Sequence, residues 1–271
     1  MSRAVIYEAF GGPEVLALRK VPEPHPGVGE VRVHVAAFGL NPMDWKIAST
    51  PGLARAFGVS TPAGFGYDFA GVVDEVDDQV EGFVVGDRVF GGALARAAAD
   101  YVVGTPADLG LTRTPAGVSD QTAATLAIAG LTADATLHAV GLRNGDTILI
   151  GGAAGGVGTF AVQLAALAGA RVVGTGSADT HGFLRNLGAE PVTYGPGLAA
   201  RVRALAPDIS AATSLVGTET VDVALELGVN PERISTIDAG PAPYRGARAT
   251  GAIDAAPEAS PESPMQFWPA S

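Results

Sequence analysis

Cysteine is absent from the 271 residues, which excludes disulfide frameworks, thiol nucleophiles and any zinc site built on thiolates. Basic side chains are scarce: 17 Lys and Arg stand against 28 Asp and Glu, a formal charge of −11. With no basic block, that charge repels phosphate backbones and anionic lipid surfaces, so neither nucleic acid nor a membrane is expected as a partner. The four histidines, His25, His34, His138 and His181, show no ligand spacing, and no metal is expected. No uninterrupted apolar run reaches the roughly 18 to 20 residues of a membrane span. Residues 1–16 lack the basic-then-apolar order of a signal peptide. The expectation is a soluble, cytoplasmic protein. What is present is apolar material: 47% of the chain is hydrophobic, enough for one large or two modest domains.

The first 115 or so residues read as β-rich, short alternating or apolar stretches being separated by Gly and Pro. Candidate strands are 4–7, 15–20, 30–37, 69–76, 87–90 and 101–103. In Val31-Arg32-Val33-His34-Val35 the valines share one face and Arg32 and His34 the other, so one face is buried. From Ser119 the texture becomes Ala- and Leu-rich with helical lengths between short β runs. The Ser119 hydroxyl is placed to cap a helix over 121–128. A strand at 146–150, a helix at 157–168, a strand at 171–175 and a helix at 181–187 form a βαβ pattern, which builds a parallel sheet. After Ile237 the composition turns to Pro, Ala and Ser, which predicts a mobile tail tipped by Phe267 and Trp268.

The strongest chemical signal is Gly151-Gly-Ala-Ala-Gly-Gly-Val-Gly158, running from the 146–150 strand into the 157–168 helix. A turn with almost no side-chain bulk lets backbone approach a pyrophosphate, whose charge then meets the unpaired N–H groups of the helix start. Gly155 permits that approach and Gly158 permits close packing of helix on strand. The first glycine of the usual pattern is replaced by Ala153, so strand–turn–helix context carries the assignment. At the end of the next strand an Asp or Glu would hold adenosine ribose hydroxyls. That position is Ser177, which does not repel a 2′-phosphate, so the reading leans to NADPH. Asp179 follows without a nearby Lys or Arg to meet the phosphate, and NADH stays open.

These motifs resemble the zinc-independent quinone oxidoreductases of the medium-chain dehydrogenase/reductase superfamily, relatives of ζ-crystallin and of enoyl reductases. The resemblance rests on Glu8-Ala-Phe-Gly-Gly-Pro-Glu-Val-Leu16, Gly39-Leu-Asn-Pro-Met-Asp-Trp-Lys46, Asp68-Phe-Ala-Gly-Val-Val73, Gly86-Asp-Arg-Val-Phe90, Ala129-Gly-Leu-Thr-Ala133, the 151–165 segment and Leu187-Gly-Ala189, in order along the chain. It implies an α/β chain, a GroES-like β-barrel domain plus a Rossmann doubly wound parallel sheet, C-terminally shortened. The implied divisions are 1–118 for the substrate domain, 119–245 for the NADP-binding domain and 246–271 for a Pro/Ala-rich tail. The resemblance also implies an active site in the cleft between the two domains.

Carried over by position, the resemblance puts Asn41 and Asp44 at the catalytic site and Thr132 beside the nicotinamide. It puts Ala154, Gly155, Gly156, Val157 and Gly158 on the pyrophosphate, and Ser177 and Tyr194 around the adenosine phosphate. The implied reaction is metal-free hydride transfer from NADPH to a quinone or an α,β-unsaturated carbonyl. The Asn41 amide would stabilise charge on the acceptor oxygen, and Tyr67 is a candidate proton donor. Asp68 is expected to be a structural carboxylate. A shortened, non-catalytic relative that binds nucleotide or a partner is the alternative. A homodimer through the Rossmann sheet edge is implied, but residues 246–253 run from that edge into the tail, and the oligomeric state stays open.

Overall fold

The computed structural model describes residues 1–238, 243–251 and 254. The chain forms two compact units, Met1–Ile128 and Ala129–Ser271. In the first, β1 (Ser2–Tyr7), β2 (Ala17–Val21), β3 (Val31–Phe38), α1 (Pro42–Ser49), α2 (Pro51–Ala56), β4 (Ala63–Gly64), β5 (Asp68–Val76), β6 (Arg88–Gly92), β7 (Tyr101–Gly104), β8 (Thr112–Arg113) and α3 (Asp120–Ala123) follow one another. They make a three-stranded sheet ordered β2-β1-β4 and a five-stranded sheet ordered β7-β3-β5-β6-β8. Every pairing in both is antiparallel, as short connections between sequential strands allow.

The alternation along β3 sets this unit's core. Val31 and Val33 are fully buried and pack with Phe69, Val73, Val89 and Val102, each contributing about 2 kcal/mol of burial. The opposite face departs from the expected solvent face: Arg32 is only 7% exposed. Its guanidinium is covered because it binds Asp74 through two nitrogens, at 2.9 and 3.0 Å, and lies 4.6 Å from the Tyr101 ring centre. Ser119 caps as expected, its Oγ accepting the Thr122 N–H at 3.2 Å. The helix it opens is shorter than the expected 121–128, ending at Ala123, with a π-turn over Leu126–Gly130. α3 packs on β3, β5 and β6, so residues 119–128 lie with the first unit, whereas the change of sequence texture begins at Ser119.

The second unit runs α4 (Leu131–Ala139), β9 (Thr147–Gly151), α5 (Gly156–Leu167), β10 (Arg171–Gly176), α6 (His181–Asn186), β11 (Ala189–Thr193), α7 (Leu198–Leu205), β12 (Ala211–Ser214), α8 (Glu219–Glu226), β13 (Ile234–Thr236) and β14 (Arg248–Ala249). Among the described residues its six strands are all parallel, in the order β11-β10-β9-β12-β13-β14. The order grows outward in both directions from β9, and the carboxyl end of β9, where the order reverses, is the place at which such sheets take ligands. The expected tail from residue 246 begins instead as a strand. Ser235 and Thr236 pair with Arg248 and Ala249, and Ala247 is fully buried beside Ile234 and Val229. Residues 252–253 and 255–271, including Phe267 and Trp268, lie outside the described residues. Among the described residues no helix is long and apolar enough to cross a membrane.

An ion-paired cluster at the amino end of β9 ties the sheet to its loops. Asp146 accepts from Arg233 Nη2 and the Arg143 N–H, each at 2.7 Å, and from Ser210 Oγ at 2.8 Å. Burial pushes the Asp146 carboxyl up, but Arg233, Ser210 and the Arg143 N–H outweigh it and hold it below its ordinary 3.8. A carboxylate depressed in the folded state contributes stability above the unfolded value and loses it as pH falls through the folded one. Arg233→Met is therefore expected to lower stability by about 1–3 kcal/mol at neutral pH. In urea titrations run at descending pH, that deficit should shrink below about pH 4.

Candidate functional site

Proline at position 42 restricts Asn41 to extended backbone, φ −120° and ψ 151°, and starts α1 at its first residue. That geometry makes Asn41 the residue before the helix, with Asp44 one turn on. The Asp44 Oδ2 accepts the Asn41 backbone N–H at 2.7 Å, returning a carboxylate to the positive end of the helix. The Asn41 side chain turns inward, and its Nδ2 donates to Asp68 Oδ2 at 2.9 Å. The second oxygen of Asp68, Oδ1, accepts the Ile128 N–H at 3.0 Å. Asn41, Asp44 and Asp68 are 8%, 5% and 1% exposed, so one buried residue links two carboxyls, its backbone N–H serving Asp44 and its side-chain amide serving Asp68. Gly39 makes the close packing possible: a Cβ there would lie 3.0 Å from Asp68 Cβ and collide with the Ala124 carbonyl oxygen.

Burial dominates the acid–base behaviour of this cluster. It pushes Asp44 up to about 6, against the pull of the Asn41 N–H. It pushes Asp68 up to about 7, against hydrogen bonds from Asn41 and Ile128 and with the Asp44 charge adding to the rise. Tyr67, immediately before Asp68, packs its ring over the backbone of Gly92. Its hydroxyl is raised by burial and by Asp68, which keeps it protonated near neutral pH. Of the three residues expected at the catalytic site, the structure joins Asn41 and Asp44 directly and sets Tyr67 beside their partner. Asp68, expected as a structural carboxylate, is also the partner of the Asn41 side chain, a link that sequence reasoning did not foresee. The signal that could have found it is an Asp opening the apolar run Phe69-Ala-Gly-Val-Val, where burial demands a partner.

In the second unit, the glycine-rich turn leaves the carboxyl end of β9. Thr175 of β10 anchors the turn, its Oγ1 accepting the Gly152 N–H at 3.0 Å and its carbonyl the Ala153 N–H at 3.1 Å. Gly155 then takes extended backbone as the cap of α5, and Gly155 and Gly156 lie exposed. The first-turn N–H groups of Gly156, Val157 and Gly158 have no intrahelical acceptor and carry the positive end of a twelve-residue helix. Gly158 is buried under the turn. A Cβ there would collide with the Gly152 carbonyl oxygen and sit 2.5 and 2.6 Å from the oxygen and carbon of the Ala153 carbonyl. A bare, uncluttered set of N–H groups backed by a helix is what a dinucleotide pyrophosphate requires, and these residues fit it. Ala154 is half-buried within the turn, and Thr132 is buried as the second residue of α4.

Ser177 follows β10 and caps a short 3₁₀ turn, its carbonyl accepting from Thr180 N and Oγ1 at 3.0 and 2.8 Å. Tyr194 follows β11 and is 56% exposed. Its loop is braced from below by Arg201, which donates to the carbonyls of Thr193, Tyr194, Gly195 and Pro196. Sequence reasoning missed Arg201, because the loop carbonyls it serves are brought to it only by the fold. Its guanidinium is thereby committed to the backbone. Among the described residues, no group of three His, Cys, Asp or Glu is placed to hold a metal ion.

Comparison with known proteins agrees with this geometry. Residues 27–125 match the alcohol dehydrogenase GroES-like domain family. A quinone oxidoreductase of Pseudomonas aeruginosa is 40% identical over 178 residues, covering 65% of this chain and 53% of that protein. The chain spans about half the length of the curated relatives it matches. The solved quinone oxidoreductase of Coxiella burnetii superposes with a TM-score of 0.79 at 30% identity, over 92% of this chain and 82% of that one. A mycobacterial protein solved in complex with NADPH superposes with a TM-score of 0.78 at 28% identity, over 94% of this chain and 85% of that one. The antiparallel first unit, the six-stranded parallel second unit and these matches agree: the chain belongs to the zinc-independent quinone oxidoreductase branch of the medium-chain dehydrogenase/reductase superfamily.

Proposed function

We propose that the protein reduces a quinone or an α,β-unsaturated carbonyl with NADPH, without a metal. The observation that carries the reading is the buried Asn41–Asp68–Asp44 cluster in a chain that also presents an uncovered glycine turn at the carboxyl end of β9. A bound NADPH supplies the hydride from C4 of its nicotinamide, and one proton from solvent or a side chain completes the two-electron reduction as NADP⁺ is formed. The first-turn N–H groups of α5 hold the pyrophosphate, and the cap at Gly155 leaves that end of the helix open to it. Thr132, buried on α4, lines the nicotinamide end. Asn41 has two N–H hydrogens on Nδ2; one is taken by Asp68 and the other meets the acceptor oxygen as negative charge grows on it. Tyr67, held protonated by its surroundings, donates the proton. Such donors are worth most where water is excluded.

The test is a fluorescence titration with NADPH and, separately, NADH, followed by assay of NADPH consumption with a simple benzoquinone. NADPH bound more tightly than NADH, together with turnover, supports the reading. Binding without turnover on any quinone or enone leaves the alternative, a nucleotide-binding relative without catalysis. Cofactor choice is assigned to Ser177 and Tyr194. Ser177→Asp is expected to weaken NADPH binding at least tenfold and to strengthen NADH binding, since a carboxylate repels the 2′-phosphate and accepts from ribose hydroxyls. An unchanged ratio of the two affinities would remove Ser177 from that role.

A further inference from the structure

We propose that Asp68 is a positioning residue that decides which end of the Asn41 side-chain amide is offered to the acceptor, and that one proton on Asp68 reverses the choice. The inference rests on the reading of Asn41 as the donor to the acceptor oxygen. An amide is nearly symmetric in shape, so packing alone does not distinguish its oxygen from its nitrogen, and its hydrogen-bond partners must. The Asp44 N–H at the helix start favours the amide oxygen on its side, but it is also served by the Asn41 carbonyl at 3.0 Å, which leaves Asp68 as the fixed partner that decides. Its Cβ is packed against Gly39, its own carbonyl accepts the Gly39 N–H at 2.9 Å, and its Oδ1 is engaged by the Ile128 N–H.

An ionised carboxylate only accepts. While Asp68 is ionised, Nδ2 of Asn41 must face it, and the second N–H of the same nitrogen serves the acceptor. A protonated Asp68 has one hydrogen to place. Oδ1 already faces a donor, so that hydrogen sits on Oδ2, pointing at Asn41, and the amide turns its oxygen inward to receive it. The position that held the second N–H then carries an oxygen lone pair, which repels the charge growing on the acceptor.

The neighbours of Asp68 set where this happens. Asp44 on α1 raises its proton affinity, and Tyr67, just before β5, stands next to it. Lys46, the other charged residue of α1, lies exposed. From β3, β6 and α3 the residues packed at this point are uncharged: Gly39 just past β3, Gly92, and Ala124 just past α3. Burial holds the midpoint at about 7, so the switch operates across neutral pH.

The experiment has two arms. In the first, kcat is followed against pH with NADPH and a benzoquinone. Wild type should lose about tenfold per pH unit below the midpoint and level off above it. Asp68→Asn, which preserves shape but cannot titrate, should lose that acid limb and stay low throughout. In the second arm, the side-chain amide of Asn41 in the nucleotide-free protein is followed by ¹⁵N NMR during a pH titration. Its two proton shifts should change with the midpoint of the Asp68 carboxyl in wild type, and that step should be missing in Asp68→Asn, which keeps only the change that follows Asp44 at about 6. An Asn41 amide that ignores the ionisation of Asp68, or a kcat that rises toward acid, overturns the proposal. An amide that follows Asp68 in a protein without turnover supports the positioning role and counts against the enzymatic reading instead.

Discussion

Replacing Gly158 with valine should abolish nucleotide binding and destabilise the second unit by about 3 kcal/mol or more. The glycine lies in the first turn of α5, beneath the carbonyls of Gly152 and Ala153, where a Cβ would fall within 2.6 Å of the Ala153 carbonyl carbon. These obstacles are backbone, which cannot rotate aside as a side chain end would. The helix must therefore lift off the turn or the turn must open. Either movement breaks the anchoring of Gly152 and Ala153 on Thr175 and displaces the N–H groups proposed to hold the pyrophosphate. Urea denaturation should show the stability loss, and titration with NADPH should show affinity falling more than a hundredfold. Alanine at 158 meets the same carbonyls and should show the same signs to a smaller degree. Wild-type affinity in a folded Gly158→Val protein would mean that the pyrophosphate site is elsewhere.

Asn41→Ala should cut turnover with a quinone by a factor of about 10² to 10³ while leaving NADPH affinity within about twofold, the loss expected for one preorganised donor to a developing oxyanion. Binding is spared because the nucleotide turn belongs to the second unit and Asn41 to the first. The substitution also leaves the buried Asp68 without the Asn41 N–H, one of the groups that lowers its proton affinity. A stability loss of about 1–3 kcal/mol is expected alongside, and kinetics should be measured where the variant is folded. Asn41→Asp adds a third carboxyl to a site with two and should reduce turnover at least as far. Undiminished turnover in Asn41→Ala would remove the amide from the chemistry and, with it, the reason for Asp68 to matter.

The parts of this site that were legible in the sequence are those whose cause is local. The run from Thr147 to Leu167 announces strand, turn and helix because bulk, glycine and helical composition change within a few residues of one another. Ser119 announces a helix start because a cap acts three residues away. The role of Asp68 was not legible, since its partners stand 27 and 60 positions distant and only the antiparallel pairing of β3 with β5 brings Gly39 and Asp68 together. Arg32 looked like a surface residue on alternation alone. Its burial depends on Asp74 and on Tyr101, supplied by the strands on either side of β3. Arg248 and Ala249 read as the start of a tail because a two-residue strand has no periodicity of its own, and pairing with β13 defines it. Family resemblance supplied Asn41 and Asp44 as a pair of names. The structure supplies the bond between them and the carboxyl behind it.

The most direct test of the account is the initial rate of NADPH consumption with a benzoquinone, measured side by side for the wild-type chain and Asn41→Ala at a pH above the Asp68 midpoint. The account predicts steady turnover by wild type and a rate lower by two to three orders of magnitude for the variant, with both proteins binding NADPH. A wild-type chain that binds NADPH and passes no hydride to any quinone or enone would contradict it.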